Sequence, residues 1–90
     1  MINRKLKVEN SLGIHVRPAG NIVNITGPAA STVELAYAGQ TVNAKSILNL
    51  MMLVITPGSE VEFLINGSDE QKVADQLTEL FQNKFYEDAS

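Results

Sequence analysis

Three segments of this chain alternate apolar and polar side chains, and each hides only one of its two sides. Residues 2–9 set Ile2, Leu6 and Val8 against Asn3, Lys5, Lys7 and Glu9, with Arg4 as the exception. Ser31 to Tyr37 turns Val33, Leu35 and Tyr37 inward, and Glu60 to Asn66 hides Val61, Phe63 and Ile65. Successive strand side chains point to opposite faces, so this pattern builds a sheet with one covered and one solvated face, the habit of antiparallel sheets.

The covering layer has to come from the stretches between. Residues 16–26 carry Val16, Ala19, Ile22, Val23 and Thr26 at helical spacing, and Gly27-Pro28 ends that helix. Ala38-Gly39 reads as a hairpin turn into a short strand over Gln40–Asn43. Ser46 caps a short helix in which Ile47, Leu48, Leu50, Met51, Met52 and Leu53 are too dense for one face to bury, so part of them stays exposed. Pro57-Gly58 turns into the strand of 60–66. After Gly67, Ser68 and Gln71 have capping-box spacing, Asp69 and Glu70 suit a first turn, and Val73, Leu77, Leu80, Phe81 and Lys84 trace a long amphipathic helix. Residues 87–90 read as a frayed tail. The order is β-α-β-β-α-β-α, an α+β fold with a four-stranded antiparallel sheet and three helices on one face, in a single domain over 1–90. Two known arrangements share nearly this order, and periodicity does not separate them.

The chemistry concentrates in Gly13-Ile14-His15-Val16-Arg17-Pro18-Ala19, which holds the only histidine, between the first strand and the first helix. A helix N-terminus leaves its first N–H groups without intrahelical acceptors and carries the positive end of the macrodipole, so the backbone of Val16 and Arg17 suits a phosphate. Pro18 lacks an N–H that would be an orphan there anyway. The Arg17 guanidinium can offer two parallel hydrogen bonds to phosphate oxygens. A neutral imidazole on His15 has one lone pair free to attack phosphorus.

This stretch resembles the active centre of the HPr family of histidine-containing phosphocarriers. Lys45-Ser46-Ile47-Leu48 is a second match, similar to that family's regulatory serine at the head of its second helix and at the family's spacing from the histidine. The likeness runs nearly end to end. Of the two arrangements left open, the ferredoxin-like sheet and the open-faced HPr sandwich, the resemblance implies the second. It further implies that His15 takes a phosphoryl group on Nδ1 from phosphorylated enzyme I of the phosphoenolpyruvate-dependent sugar phosphotransferase system and passes it to enzyme IIA domains, with Arg17 as its partner. Such a protein is a stoichiometric carrier without a cofactor, a monomer in the cytoplasm, and not an enzyme in its own right. Ser46 would be modified by a dedicated kinase and phosphorylase, and Val16, Gly20, Ile47, Leu48, Met51 and Met52 would form the docking patch. A regulatory paralogue is the alternative, its state at His15 or Ser46 controlling docking to a transcription factor or a kinase. A third, unrelated interaction module would leave His15 an ordinary surface residue.

Composition narrows the field. With no cysteine there is no disulfide framework, which suits a reducing compartment. The N-terminal residues show no apolar export region, and the apolar stretch from Ile47 to Ile55 is far short of the ~20 residues of a membrane span. Seven Lys and Arg are scattered among only five aromatics, which disfavours nucleic acid as a partner, and no His, Asp and Glu share metal-ligand spacing. The first 55 residues hold five basic and two acidic side chains, the rest two basic and eight acidic, so the motif half is the positive half. Departures from the family lie on the docking side. Asn24, Gly27, Gln40 and Asn49 stand where many members carry lysines, Asn49 and Val54 where glycines are common, and Val16 where a smaller residue is usual. Steering by charge should therefore be weak, which suits partners adapted to a less charged face.

Overall fold

The computed structural model describes residues 1–86, and the tail expected over 87–90 lies outside them. Strand β1 (Ile2–Lys7), helix α1 (Val16–Thr26), strands β2 (Thr32–Tyr37) and β3 (Gln40–Asn43), helix α2 (Ile47–Met52), strand β4 (Glu60–Asn66) and helix α3 (Glu70–Gln82) follow in the expected order, with a short 3-10 turn (Lys84–Tyr86) after α3. The strands pair antiparallel in the order β1-β4-β2-β3. A ferredoxin-like sheet would set β1 beside β3, whereas here those two are the edges, so the architecture is the open-faced sandwich.

Register explains the one-sided alternation. Leu6 lies opposite Val61, Val33 opposite Ile65 and Leu35 opposite Phe63, all buried in one inner row. On the outer face Lys5 faces Glu62 and Lys7 faces Glu60, opposite charges that favour this pairing. Ala19 and Ile22 of α1, Leu50 of α2, and Val73, Leu77 and Phe81 of α3 close over the inner row. Phe81 meets Phe63 edge-on at 5.6 Å and Phe85 at 4.6 Å.

Three expectations need correction. The first strand ends at Lys7 instead of residue 9, although Val8 is still held by hydrogen bonds to Ser59 and Gly58. Arg4, the exception to its alternation, faces inward opposite Phe63, and its Nη1 donates to Thr78 Oγ1 at 2.7 Å. Its stem is half-buried while its charge finds a polar partner.

The Ser68/Gln71 capping box does not form. The Gly67 N–H donates to Glu70 Oε1 at 3.1 Å, one residue ahead of the expected register, and Gln71 donates to Asp75 instead. Asp69 takes the N-cap position without capping, because its carboxylate accepts from the Ala30 and Ser31 N–H groups, each at 2.9 Å, and from the Ser31 hydroxyl. Nor does the last helix include Lys84. Residues 84–86 turn left-handed, which ends the helical run and brings Phe85 back into the core, where Asn21 Nδ2 donates to its carbonyl.

A further left-handed residue follows α2. Val54 has φ 51°, a conformation that costs a non-glycine residue roughly 1–2 kcal/mol and is least natural for a β-branched one.

Candidate functional site

His15 is held from both sides of its loop. Asn10 is fully buried and its Nδ2 donates to the Gly13 carbonyl at 2.8 Å. Gly13 has φ 72°, and a Cβ there would run into the Ile55 carbonyl, so no larger residue fits the bend. The next residue, Ile14, is buried and donates its N–H to that same Ile55 carbonyl at 3.0 Å. The chain thus reaches His15 already fixed against the segment that leaves α2.

His15 is the N-cap of α1, with an extended backbone (φ −111°, ψ −165°), and the first intrahelical bond runs from the Ala19 N–H to the His15 carbonyl at 3.0 Å. The N–H groups of Val16 and Arg17 precede that bond and have no acceptor within the helix, while buried Pro18 has no N–H to satisfy. No acidic residue stands in the first turn. The imidazole is partly exposed and the Arg17 side chain is exposed. A helix end of this kind offers backbone donors, a macrodipole and a guanidinium to one anion beside a nitrogen nucleophile.

Helix α2 lies alongside α1. Ser46 caps it, its Oγ accepting from the Asn49 N–H at 3.2 Å. Of the dense apolar run, Leu50 and Leu53 go into the core, whereas Ile47, Leu48, Met51 and Met52 stay at the surface. Val16 is also exposed, and Gly20 has open space where a Cβ would project. Lys45, beside the serine, is engaged elsewhere, its Nζ donating to the Ala29 carbonyl at 2.9 Å.

Sequence reasoning missed several residues here. Leu12 (69 % exposed) joins the apolar surface, and so does Val54 (71 %), which the sequence marks only as a departure from the family pattern. Asn10, part of the loop in the sequence, is instead a fully buried side chain that holds the bend by donating to the Gly13 carbonyl. Among the described residues no cluster of three or more His, Cys, Asp or Glu could hold a metal ion, and no helix is long and apolar enough to cross a membrane.

A family model described as the PTS HPr component phosphorylation site matches residues 2–83. The phosphocarrier protein HPr of Xylella fastidiosa is 38% identical over 88 residues, covering 98% of this chain and 99% of that one. The crystal structure of an HPr from Thermoanaerobacter tengcongensis superposes with a TM-score of 0.92 at 31% identity, covering 97% of this chain and 98% of the other. The Bacillus subtilis catabolite-repression protein Crh, whose crystal structure is described as a swapped, intertwined dimer, matches with a TM-score of 0.72 at 36% identity over 93% of this chain and 97% of its own.

Proposed function

The chain belongs to the HPr family of phosphocarriers of the phosphotransferase system, and on that premise we propose that His15 accepts a phosphoryl group from phosphorylated enzyme I and passes it to enzyme IIA domains in sugar uptake. One observation carries this reading: the single histidine caps a helix whose first turn holds an arginine and no acid. The ring nitrogen's lone pair forms the N–P bond as the bond from phosphorus to the donor breaks. Backbone N–H groups of Val16 and Arg17 and the Arg17 guanidinium stabilise the charge on the phosphoryl oxygens in either direction. This set is sufficient to hold the group and too weak to trap it. The protein acts as a stoichiometric carrier in a single cytoplasmic domain and works as a monomer. Sedimentation at working concentration checks the last point, a dimer of the kind described for Crh being the contrary result.

Val16, Gly20, Ile47, Leu48, Met51 and Met52 form the surface that both donor and acceptor cover, with methionines that adapt to more than one partner. The test is incubation with phosphoenolpyruvate and enzyme I from the same source, followed by intact mass. An acid-labile phosphate that disappears in His15→Ala supports the carrier. No transfer to the wild-type chain would remove it.

A regulatory reading has its own observation, the Ser46 hydroxyl at the N-cap of α2 next to exposed Ile47 and Leu48. A phosphate there would put roughly two negative charges into an apolar docking surface. Modification by a kinase would therefore weaken docking to enzyme I and favour a different partner, such as a transcription factor. Ser46→Asp should slow phosphorylation of His15. An unchanged rate would leave Ser46 as a cap and nothing more.

A further inference from the structure

Asn66 and Gly67 form the only Asn-Gly pair of the chain, and they link the end of β4 to the start of α3. Glycine at 67 is fixed by packing, because a Cβ there would run into the Cα and Oγ of Ser31. Asn66 has no such tie. Its side chain is exposed, and its amide makes no hydrogen bond among the described residues. Every other asparagine precedes a residue with a Cβ, which crowds the approach of the next main-chain nitrogen to the asparagine's Cγ, whereas Gly67 leaves that approach open. Two restraints act on the pair. The Gly67 N–H donates to Glu70 Oε1 at 3.1 Å, and Asn66 pairs with Thr32, whose hydroxyl donates to the Asn66 carbonyl at 3.3 Å. Both are weak points of the fold, since Asn66 is the last residue of its strand and Glu70 is partly exposed to water.

We propose that Asn66-Gly67 is a modification site at which the chain deamidates without an enzyme, and that Glu70 restrains the reaction by holding the Gly67 N–H. When that hold opens, the Gly67 nitrogen gives up its proton and bonds to Asn66 Cγ, and the Cγ–Nδ2 bond breaks with Nδ2 leaving as ammonia. Water then opens the five-membered imide and is the only co-reactant. Addition at Cγ leaves an aspartyl residue, and addition at the main-chain carbonyl leaves an isoaspartyl residue, whose backbone runs through Cβ and Cγ. Either product adds one negative charge to a chain of net charge −3. The isoaspartyl form also lengthens the main chain directly before Gly67, where that residue packs on Ser31, a partner of the Asp69 carboxylate. It therefore disturbs the joint between α3 and the loop ahead of β2, whereas the aspartyl form keeps the main chain as it is.

The proposal stands apart from the carrier reading, because it is read from the mass and charge of the chain itself. The full chain, Asn66→Gln and Glu70→Ala are held in warm, mildly alkaline buffer and sampled over days by charge separation and peptide mapping. The wild type should accumulate a more acidic form whose gain in mass, NH2 replaced by OH, maps to Asn66. Asn66→Gln, which would have to close a larger ring, should stay unmodified there, and Glu70→Ala should be modified at Asn66 at least about threefold faster than the wild type. Of the separated products, the isoaspartyl form should unfold a few degrees below the aspartyl form. A wild-type peptide that remains unmodified at Asn66 overturns the site. An equal rate in Glu70→Ala, or a rise spread over the other asparagines as general loosening would give, overturns the restraint by Glu70. Equal unfolding temperatures for the two products would overturn the effect on the Ser31 joint.

Discussion

Two helix starts in this molecule face the same electrostatic problem and resolve it differently. At the start of α3 the chain brings its own anions. Glu70 accepts from the Gly67 N–H, and Asp69 reaches back to the Ser31 hydroxyl and to the Ala30 and Ser31 N–H groups. These bonds hold both carboxyls below their ordinary values, Asp69 chiefly through the Ser31 hydroxyl and then the Ala30 N–H, Glu70 chiefly through the Gly67 N–H. At the start of α1 there is no acid, only a histidine, a valine, an arginine and a proline. A helix start whose carboxylates tie it to the preceding turn and to a distant loop is a structural joint. One left without them is available to an anion that arrives and leaves.

Moving the α3 arrangement onto α1 is the most damaging way to break that contrast. Val16→Glu places an exposed carboxylate in the first turn of α1, as Glu70 stands in the first turn of α3, where its charge would oppose the phosphate proposed to sit there. Phosphoryl transfer should fall about 100- to 1000-fold, while the helix gains about 0.3–1 kcal/mol from the same charge. Rapid-quench transfer rates read against thermal unfolding would show this, and transfer that survives the substitution would mean that the phosphate does not sit at this helix end. Arg17→Lys is the milder form. It keeps the charge but loses the planar pair of donors, so transfer should drop about 10-fold with unfolding unchanged.

Much of this contrast is readable in the sequence, and the unreadable part has a common cause. The alternation in 60–66 and the helical spacing in 16–26 are local periodicities, and both elements appear with those bounds. The Ser46 cap is also local, a side chain bonding three residues ahead. Asp69 escaped because its partners are 38 and 39 residues away, and a carboxylate in a first turn looks the same in sequence whether it binds its own helix or a distant loop. Arg4 was legible only as a break in a pattern, since its reason lies on α3. Within the site, His15 and Arg17 lie two residues apart in the chain and stand out, whereas the bend at Gly13 depends on the Ile55 carbonyl and is visible only once β4 has brought that segment back. Left-handed Val54 has no signal in its own side chain, and only the glycine common at that position in the family hints at positive φ.

The other side of the comparison responds to pH and to a single substitution. Asp69→Asn keeps the size of the side chain but removes its charge and turns one of the two accepting oxygens of the Ala30–Ser31 clasp into a donor, so the unfolding midpoint should fall by a few degrees with transfer to His15 unaffected. The folded-state pKa of Asp69 lies below its ordinary value near 3.8. Its stabilising contribution is therefore complete above that ordinary value and is lost as the pH falls through the lower, folded value. Thermal unfolding of the wild type should weaken over that acid window more steeply than that of Asp69→Asn, and parallel curves would show that the clasp contributes nothing.

Salt gives the smallest and most specific effect. Association steered by charge slows by ten- to a thousandfold when screening sets in, as the Debye length shrinks from about 10 Å at 0.1 M to about 3 Å at 1 M. Here the segments around His15 hold one charge, Arg17, so there is little for salt to screen. Enzyme I should therefore phosphorylate this chain with a kcat/KM that changes less than about threefold between roughly 0.05 and 0.5 M salt. Asn24→Lys with Asn49→Lys supplies the missing charges, and the doubly substituted carrier should acquire a salt dependence that the wild type lacks if the donor surface is acidic. A wild-type rate that already falls steeply would place the steering outside the docking surface. Arg4, Lys5 and Lys7 of β1, Lys45 beside α2, and Lys72 and Lys84 are then the cations left to provide it, and the neutral face around His15 would govern fit alone.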